Sequence, residues 1–242
     1  MQEGRALYRT DMASWYGTDL FMARFPEKRD DIGGYFSYLQ DDKAVCVFYS
    51  SNGNHKVLAT FTFDSTYNVD KADVSGEERP FTAQELELYD MRRLTTEQLS
   101  KDSMFKIYDR TSLNLIPIVY GGERKVYIVT GPQDDDVIVI GNDYLLTFNE
   151  KMELSSKRKL HKSYIPLKNE NREKDVETIH THLKDMDPFI TVTDICTLME
   201  YGERQQWKQH YVVSPDYVSI WNCKQNSLFI LTMDAWKKIS KK

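Results

Sequence analysis

Short runs rich in Tyr, Phe, Val and Ile recur along most of this chain and are separated by turn residues. An Asn-Gly step at Asn52-Gly53 and a Gly-Gly step at Gly121-Gly122 are typical of tight hairpin turns. Runs bounded by such turns predict short strands that pair with their neighbours along the chain. We expect strands at 35–40, 44–50 and 56–64, and a second group at 113–119, 125–130, 137–140, 144–148 and 158–167.

A helical pattern precedes each of these strand groups along the chain. Apolar residues spaced three or four apart predict an amphipathic helix over residues 5–24. Thr82, with Glu85 three residues later, forms a capping box that opens a second helix reaching residue 94 or 101. A short last helix over 234–239 would be capped by Thr232 or Asp234. The pattern as a whole predicts the α+β class.

The polar stretch 65–80 predicts a loop or a linker, because it contains Ser75-Gly76 and ends at Pro80. We therefore expect two parts. Residues 1–80 would form a module of one helix and an antiparallel meander. Residues 81–242 would form an α+β domain with a mixed sheet and flanking helices.

Composition limits the classes of function. The chain has 242 residues, 40% of them apolar, which is enough to bury a substantial core. Its net charge is −5, with 32 basic and 37 acidic residues. This balance argues against broad nucleic-acid binding, which depends on a positive surface. The chain also lacks an apolar run of about 18 residues, so we expect no membrane-spanning helix.

The polar start Met1-Gln2-Glu3-Gly4 is typical of an exported protein after removal of its signal. We therefore expect an exported or periplasmic protein, with the cytoplasm as the alternative. The three cysteines have no C-x-x-C spacing and lie in apolar runs, which predicts buried thiols: Cys46, Cys196 and Cys223. The run Asp134-Asp135-Asp136 predicts an exposed turn, because it lacks the spacing of a calcium-binding loop.

Two of the five histidines form the pair His180-Thr181-His182 within a predicted strand over 177–183. Side chains two residues apart on a strand point to the same face, so both imidazoles would face one site. A loop over 184–188 then leads to Asp194 at the start of a predicted helix. Zn²⁺ binds histidine nitrogen and aspartate oxygen, so this stretch predicts a zinc site formed by His180, His182 and Asp194.

Two further interpretations of this region stay open. The two histidines could be structural, with Asp194 interacting only with the amides and the dipole at the start of the helix. His161, on the preceding strand, could face the same site. Strand alternation gives it no apolar neighbours on its own side, however, so we expect it to face solvent.

The order of H-x-H, loop, Thr-x-x-Asp, helix and paired strands at 209–214 and 217–222 resembles the JAB/MPN fold, over residues 176–232. Active members of that family are zinc-dependent peptidases and isopeptidases. The resemblance implies that His180, His182 and Asp194 are zinc ligands. It also places Thr191 where the family has a serine that helps to hold the tetrahedral intermediate, and it implies a peptide or protein substrate.

Three positions depart from the family pattern. The loop between His182 and Thr191 is one residue longer, and Leu183 replaces a proline. The family's general base, a glutamate on an earlier strand, has no recognisable counterpart in this sequence. The upstream glutamates that we considered lie in a predicted helix or beside predicted turns: Glu85, Glu87, Glu123, Glu150 and Glu153.

The sequence therefore predicts a JAB-like metal-binding protein that is either a zinc metallopeptidase or, without a general base, a non-hydrolytic member. The alternative is a metal-free interaction module that uses aromatic residues on a strand surface, among them Tyr211, Tyr217 and Trp221. Ordinary core packing would also explain such aromatic residues. On the segments 141–148 and 189–196 the chain also resembles a bacterial family without an assigned activity, which implies no function.

Overall fold

The computed structural model describes residues 1–134, 137–168 and 176–240. It combines helices with mostly antiparallel sheets, so the predicted α+β class is confirmed. In the predicted acidic turn, Asp134 forms an ion pair with Arg110, while Asp135 and Asp136 lie outside the described residues.

The N-terminal helix lies against an antiparallel meander, as the sequence predicts. The elements are α1 (Gln2–Arg24), β1 (Ile32–Gln40), β2 (Lys43–Ser50) and β3 (Lys56–Phe63). Phe21 of the helix stacks on Phe48 of β2, with 4.2 Å between ring centroids. Gly17 lets the helix approach this closely, because a Cβ there would lie 2.7 Å from the Sγ atom of Cys46.

Part of the stretch 65–80 is paired to this first sheet. Two short strands, β4 (Asp73–Ser75) and β5 (Arg79–Pro80), both pair with β3. The prediction of a loop or linker is therefore wrong for these residues. The reason is that these strands are very short and leave most of their side chains near solvent, so they carry no apolar alternation.

The second helix, α2 (Ala83–Lys101), begins at the predicted capping box and reaches the longer of the two predicted ends. The hydroxyl of Thr82 accepts from the backbone N–H of Glu85, and the Glu85 carboxylate accepts from the N–H of Thr82. The strands that follow are β6 (Thr111–Tyr120), β7 (Glu123–Pro132), β8 (Val137–Gly141), β9 (Tyr144–Phe148), β10 (Leu154–Lys159) and β11 (Tyr164–Lys168).

These strands form two separate sheets. The order in the larger one is β10-β9-β7-β6, and β8 pairs with β11 alone among the described residues. The prediction of a single strand over 158–167 is therefore wrong. The chain leaves the larger sheet at Lys159 and joins the smaller one at Tyr164. Residues 160–163 form a connecting loop between the two sheets.

The C-terminal part forms a four-stranded sheet. Its elements are β12 (Val176–Thr181), α3 (Val192–Tyr201), β13 (Trp207–Val213), β14 (Tyr217–Asn222), β15 (Ser227–Thr232) and α4 (Met233–Ile239). The strand order is β12-β13-β14-β15, with β12 and β13 parallel and the other pairs antiparallel. Parallel neighbours need a crossover, which α3 provides. Thr232 is the cap of α4, because its hydroxyl accepts from the N–H of Ala235.

The apolar cores draw on residues from both sides of the predicted boundary at residue 80. One core joins Phe36 and Val47 of the meander to Leu88 of α2 and Tyr144 of β9. Another joins α1 to β6 and α3. The division into 1–80 and 81–242 stays a prediction, and these cores show that the two parts pack against each other.

Two smaller predictions agree with the structure. The three cysteines are buried free thiols. Within the ranges that the structure describes, no helix is long and apolar enough to cross a membrane.

Candidate metal centre

The end of β12 brings the two histidines of the H-x-H pair together. His180 lies in the strand, and His182 follows it directly. The backbone N–H of His182 still donates to the carbonyl of Val213, at 2.8 Å, so the chain runs beside β13 for one more residue. Both side chains are buried, and their Nε2 atoms lie 3.0 Å apart. The strand alternation seen in the sequence therefore places both imidazoles in one site.

The start of α3 supplies a buried carboxylate. Thr191 is the residue before the helix, and its hydroxyl accepts from the N–H of Asp194 at 3.1 Å. In return, Asp194 Oδ2 accepts from the Thr191 N–H and hydroxyl, both at 2.8 Å. The Oδ2 atom of Asp194 thus makes the capping hydrogen bonds, and its Oδ1 atom is left for another partner.

His161 also belongs to this site, so the prediction that it faces solvent is wrong. It lies in the loop between β10 and β11, is 6% exposed, and places its Nε2 atom 3.1 Å from Asp194 Oδ1. The prediction failed because it treated 158–167 as one continuous strand. The loop packs closely on Gly141, where φ is +89° and a Cβ would lie 2.3 Å from the carbonyl of Ser163.

The donor atoms of His161, His180, His182 and Asp194 all lie within 4.8 Å of one another. His180 Nε2 is 3.5 Å from Asp194 Oδ1, and His182 Nε2 is 3.7 Å from Asp194 Oδ2. Bonds of about 2.0–2.1 Å in a tetrahedral zinc site put neighbouring donors about 3.3 Å apart. His161 Nε2 and Asp194 Oδ1 are both buried and form an ion pair that lacks the geometry of a hydrogen bond. The four residues thus fit a zinc ion in both donor type and spacing.

Each imidazole has an outer partner at its Nδ1 atom. His182 Nδ1 donates to the carbonyl of Asp187 at 2.7 Å, which leaves its Nε2 lone pair free. His180 Nδ1 lies 2.8 Å from Nε2 of His210, a fully buried residue of β13. His161 Nδ1 lies 3.4 Å from the buried carboxylate of Asp143. Partners of this kind orient metal-binding histidines and fix their tautomers.

In the metal-free site, the negative charges of Asp194 and Asp143 favour a proton on His161, and a bound cation could replace that proton. Burial lowers the pKa of His180 to about 4 and that of His210 to about 3. For His161, burial acts in the same direction, but Asp194 and Asp143 outweigh it and raise the pKa to about 10. Burial favours protonated Asp194, yet the charge of His161 and the neighbouring His180 hold the pKa of Asp194 well below its usual range.

A small cavity of about 20 Å³ reaches the three imidazoles from outside. Its other lining residues come from strands β8, β11 and β12 and from the two loops around the site, and they include Leu183 and Met186. A volume of 10–15 Å³ is about the minimum for one water, so this cavity admits a single water or ion.

The described residues place no glutamate in the cluster or along this cavity. Glu85 is buried elsewhere and pairs with Arg79. Glu87 pairs with Arg124, Glu123 with Lys125, and Glu153 accepts from Asn149. A general base of the kind that the JAB/MPN resemblance implies is therefore unassigned.

The aromatic residues considered for an interaction surface lie in different environments. Trp221 is fully buried in the core, so its assignment to an exposed surface is wrong. Tyr217 packs on Phe189, with ring centroids 4.6 Å apart, and Tyr211 contacts Trp236 of α4 at 5.7 Å. Both tyrosines remain partly exposed.

Sequence reasoning missed three residues that surround the cluster: His210, Asp143 and Asp187. One signal was available for His210, since four of the five histidines lie between residues 161 and 210. No local pattern marks Asp143, because its role depends on a contact with His161 in another segment, or Asp187, because it contacts His182 through its backbone carbonyl, which any residue has. Comparison with protein-family models, with curated proteins and with solved structures finds no match for this chain.

Proposed function

We propose that this chain is a zinc-binding protein whose ligands are His161, His180, His182 and Asp194. The observation that supports this most strongly is the convergence of four buried donors, whose atoms lie within 4.8 Å of one another. A buried charge must be paired or bound to a metal, and a cation between the three imidazoles and the Asp194 carboxylate would balance that charge. Three imidazole nitrogens and one carboxylate oxygen are ligands that zinc accepts.

The four-ligand set supports a binding or structural role over hydrolysis. Catalytic zinc sites combine three protein ligands with an open position for water, whereas structural sites have four protein ligands. His161 stands as the fourth donor, in addition to the three that the JAB/MPN resemblance implies. Zinc held by these residues would connect the 160–163 loop, β12 and α3, which come from different parts of the fold.

A zinc-dependent peptidase or isopeptidase is the second candidate. The cavity beside the imidazoles has room for one water, and bound zinc would lower the pKa of that water and act as a Lewis acid. The described residues offer no glutamate to take its proton, a step that contributes about 10²- to 10⁴-fold in rate. Cleavage of peptide or isopeptide substrates that is lost in His180→Ala would support this candidate over a purely structural zinc.

The test of the proposed function is the metal content of protein purified without a histidine tag. We expect about one zinc per chain by mass spectrometry, and loss of that zinc in His180→Ala, Asp194→Ala and His161→Ala. His55→Asn is the matched control, since His55 is the one histidine outside the site, and its φ of +51° suits asparagine. Wild-type protein that is folded, zinc-free and unable to take up added zinc would reject the proposal and favour a metal-free interaction module.

A further inference from the structure

Three side chains, His180, His210 and Thr178, form a hydrogen-bonded series that leads away from the candidate metal centre. His180 Nδ1 lies 2.8 Å from His210 Nε2, and His210 Nδ1 lies 2.7 Å from the hydroxyl of Thr178. His210 is completely buried, while Thr178 on β12 is partly exposed. The two strands pair in parallel with Thr178 opposite His210, so the backbone register itself sets these contacts.

The direction of the hydrogen bonds in the metal-free protein follows from His182. The carbonyl of Asp187 can only accept, so His182 carries its proton on Nδ1, and its Nε2 accepts from His180 Nε2 at 3.0 Å. A neutral His180 with its proton on Nε2 must accept at Nδ1. His210 therefore donates from its own Nε2, and the Thr178 hydroxyl donates to His210 Nδ1.

Metal binding requires the opposite arrangement. A metal at His180 Nε2 needs the lone pair of that nitrogen, so the proton of neutral His180 must be on Nδ1. His180 then donates to His210 Nε2, and His210 donates from Nδ1 to the oxygen of Thr178. Each ring holds one proton in both states. The His180 Nε2 proton leaves to water, the protons of His210 Nε2 and Thr178 shift one position toward the metal, and Thr178 regains a proton from water.

We propose that His210 is the positioning residue of the metal centre, which fixes His180 as an Nε2 ligand and reverses its own tautomer when metal binds. This inference rests on the proposed zinc site. Outer partners of metal-bound histidines typically change affinity about 10- to 100-fold. Each ring nitrogen of His210 has a partner that can either donate or accept, so the same contacts are kept when the direction of the hydrogen bonds reverses.

The primary test is nuclear magnetic resonance of protein with ¹⁵N-labelled histidine, which distinguishes the two tautomers of each ring. Without metal, we expect protons on Nε2 of His180 and His210 and on Nδ1 of His182. In the zinc-loaded protein, both His180 and His210 should carry the proton on Nδ1, while His182 is unchanged. A His210 ring that stays protonated at Nε2 in zinc-loaded protein would overturn the inference.

Affinity measurements with a competing chelator give a second readout. We expect His210→Leu to weaken zinc binding about 10- to 100-fold. His210→Gln should restore part of that loss, since its amide oxygen can accept from His180. Thr178→Val, at a partly exposed position, removes only the terminal acceptor and should have a smaller effect; it keeps the test valid if His210→Leu does not fold. His55→Asn should bind zinc like the wild type.

Failure of the inference can be told apart from failure of the proposed function. Wild-type protein that binds no zinc rejects the proposed function, and the inference with it. Wild-type protein that binds one zinc, together with His210 and Thr178 variants of unchanged affinity, rejects only the role of His210.

Discussion

At the scale of single residues, His161 occupies the most unusual position. Its ring lies between two buried carboxylates, 3.1 Å from Asp194 Oδ1 and 3.4 Å from Asp143 Oδ2. A protonated imidazole balances these negative charges in the metal-free protein. In the proposed zinc-bound protein, the metal takes over that balance, and His161 must give up the proton on Nε2.

Proton release on zinc binding follows from this exchange. The pKa of His161 is raised to about 10, because Asp194 and Asp143 outweigh the effect of burial. The ring is therefore charged at pH 8 without metal, and we expect zinc to displace about one proton from it. Apparent zinc affinity should rise about tenfold per pH unit until the pH approaches that pKa.

Isothermal titration calorimetry at pH 8, in buffers of different ionisation enthalpy, measures the number of protons released. Asp143→Asn keeps all four proposed ligands and removes one of the two carboxylates that raise the pKa of His161, so this variant should release fewer protons than the wild type. Zinc binding to the wild type without proton release would contradict this account.

At the scale of elements, the start of α3 connects local capping to the site. Thr191 and Asp194 satisfy each other's backbone N–H groups, and the same contacts hold the Asp194 side chain in place. The hydroxyl of Thr191 also contacts that of Thr193, at 3.1 Å. These contacts account for Thr191 as a helix cap. Its role in holding a reaction intermediate, implied by the JAB/MPN resemblance, stays a prediction.

Thr191→Val should reveal the link between cap and site. Loss of an N-terminal cap typically lowers the free energy of unfolding by about 1 kcal/mol. Because the Asp194 carboxylate also loses a donor, we expect zinc affinity to fall about tenfold or more. Thr191→Ser keeps the hydroxyl and should retain both properties. Chemical denaturation and chelator competition measure the two effects, and a valine variant equal to the wild type in both would refute the link.

At the scale of the whole molecule, the contact between α1 and α3 contains a second group of titratable side chains. Asp11 of α1 and Glu200 and Cys196 of α3 have polar atoms within 4.8 Å of one another. Burial raises the pKa of Asp11 to about 6, and burial followed by the charge of Asp11 raises the pKa of Glu200 well above its ordinary value. This interface is therefore most stable when both acids are protonated.

The pH dependence of stability follows from the direction of these shifts. The folded-state pKa values of Asp11 and Glu200 lie above their ordinary values of 3.8 and 4.5. The stability that comes from keeping these acids protonated is therefore fully present below the ordinary values. It is lost as the pH rises through the folded-state pKa values. We expect Glu200→Gln to raise the free energy of unfolding by about 1–3 kcal/mol at pH 8 and to have little effect at pH 4.

Denaturant unfolding at the two pH values tests this expectation. Glu203→Gln is a control on an exposed neighbouring residue. An equal gain at both pH values, or the same gain in the control, would show that charge burial at this interface is not the cause.

The sequence by itself determined the local features of this protein. Alternating apolar residues and turn residues located most strands, the Thr82–Glu85 capping box located the start of α2, the Thr-x-x-Asp pattern located the start of α3, and the H-x-H spacing put two imidazoles on one face. These features depend on neighbours within a few residues, and backbone periodicity encodes them directly. The ligand role of His180, His182 and Asp194 stays a prediction until metal content is measured.

Only the tertiary structure decided which other residues join the site. His161 enters because the chain crosses from one sheet to another over residues 160–163, and His210 enters through the parallel pairing of β12 with β13. Asp143, the residue before β9, contacts His161 in the loop after β10. Such contacts depend on how sheets pack and on which strands pair. Positions that are distant along the chain leave no local periodic signal of their proximity.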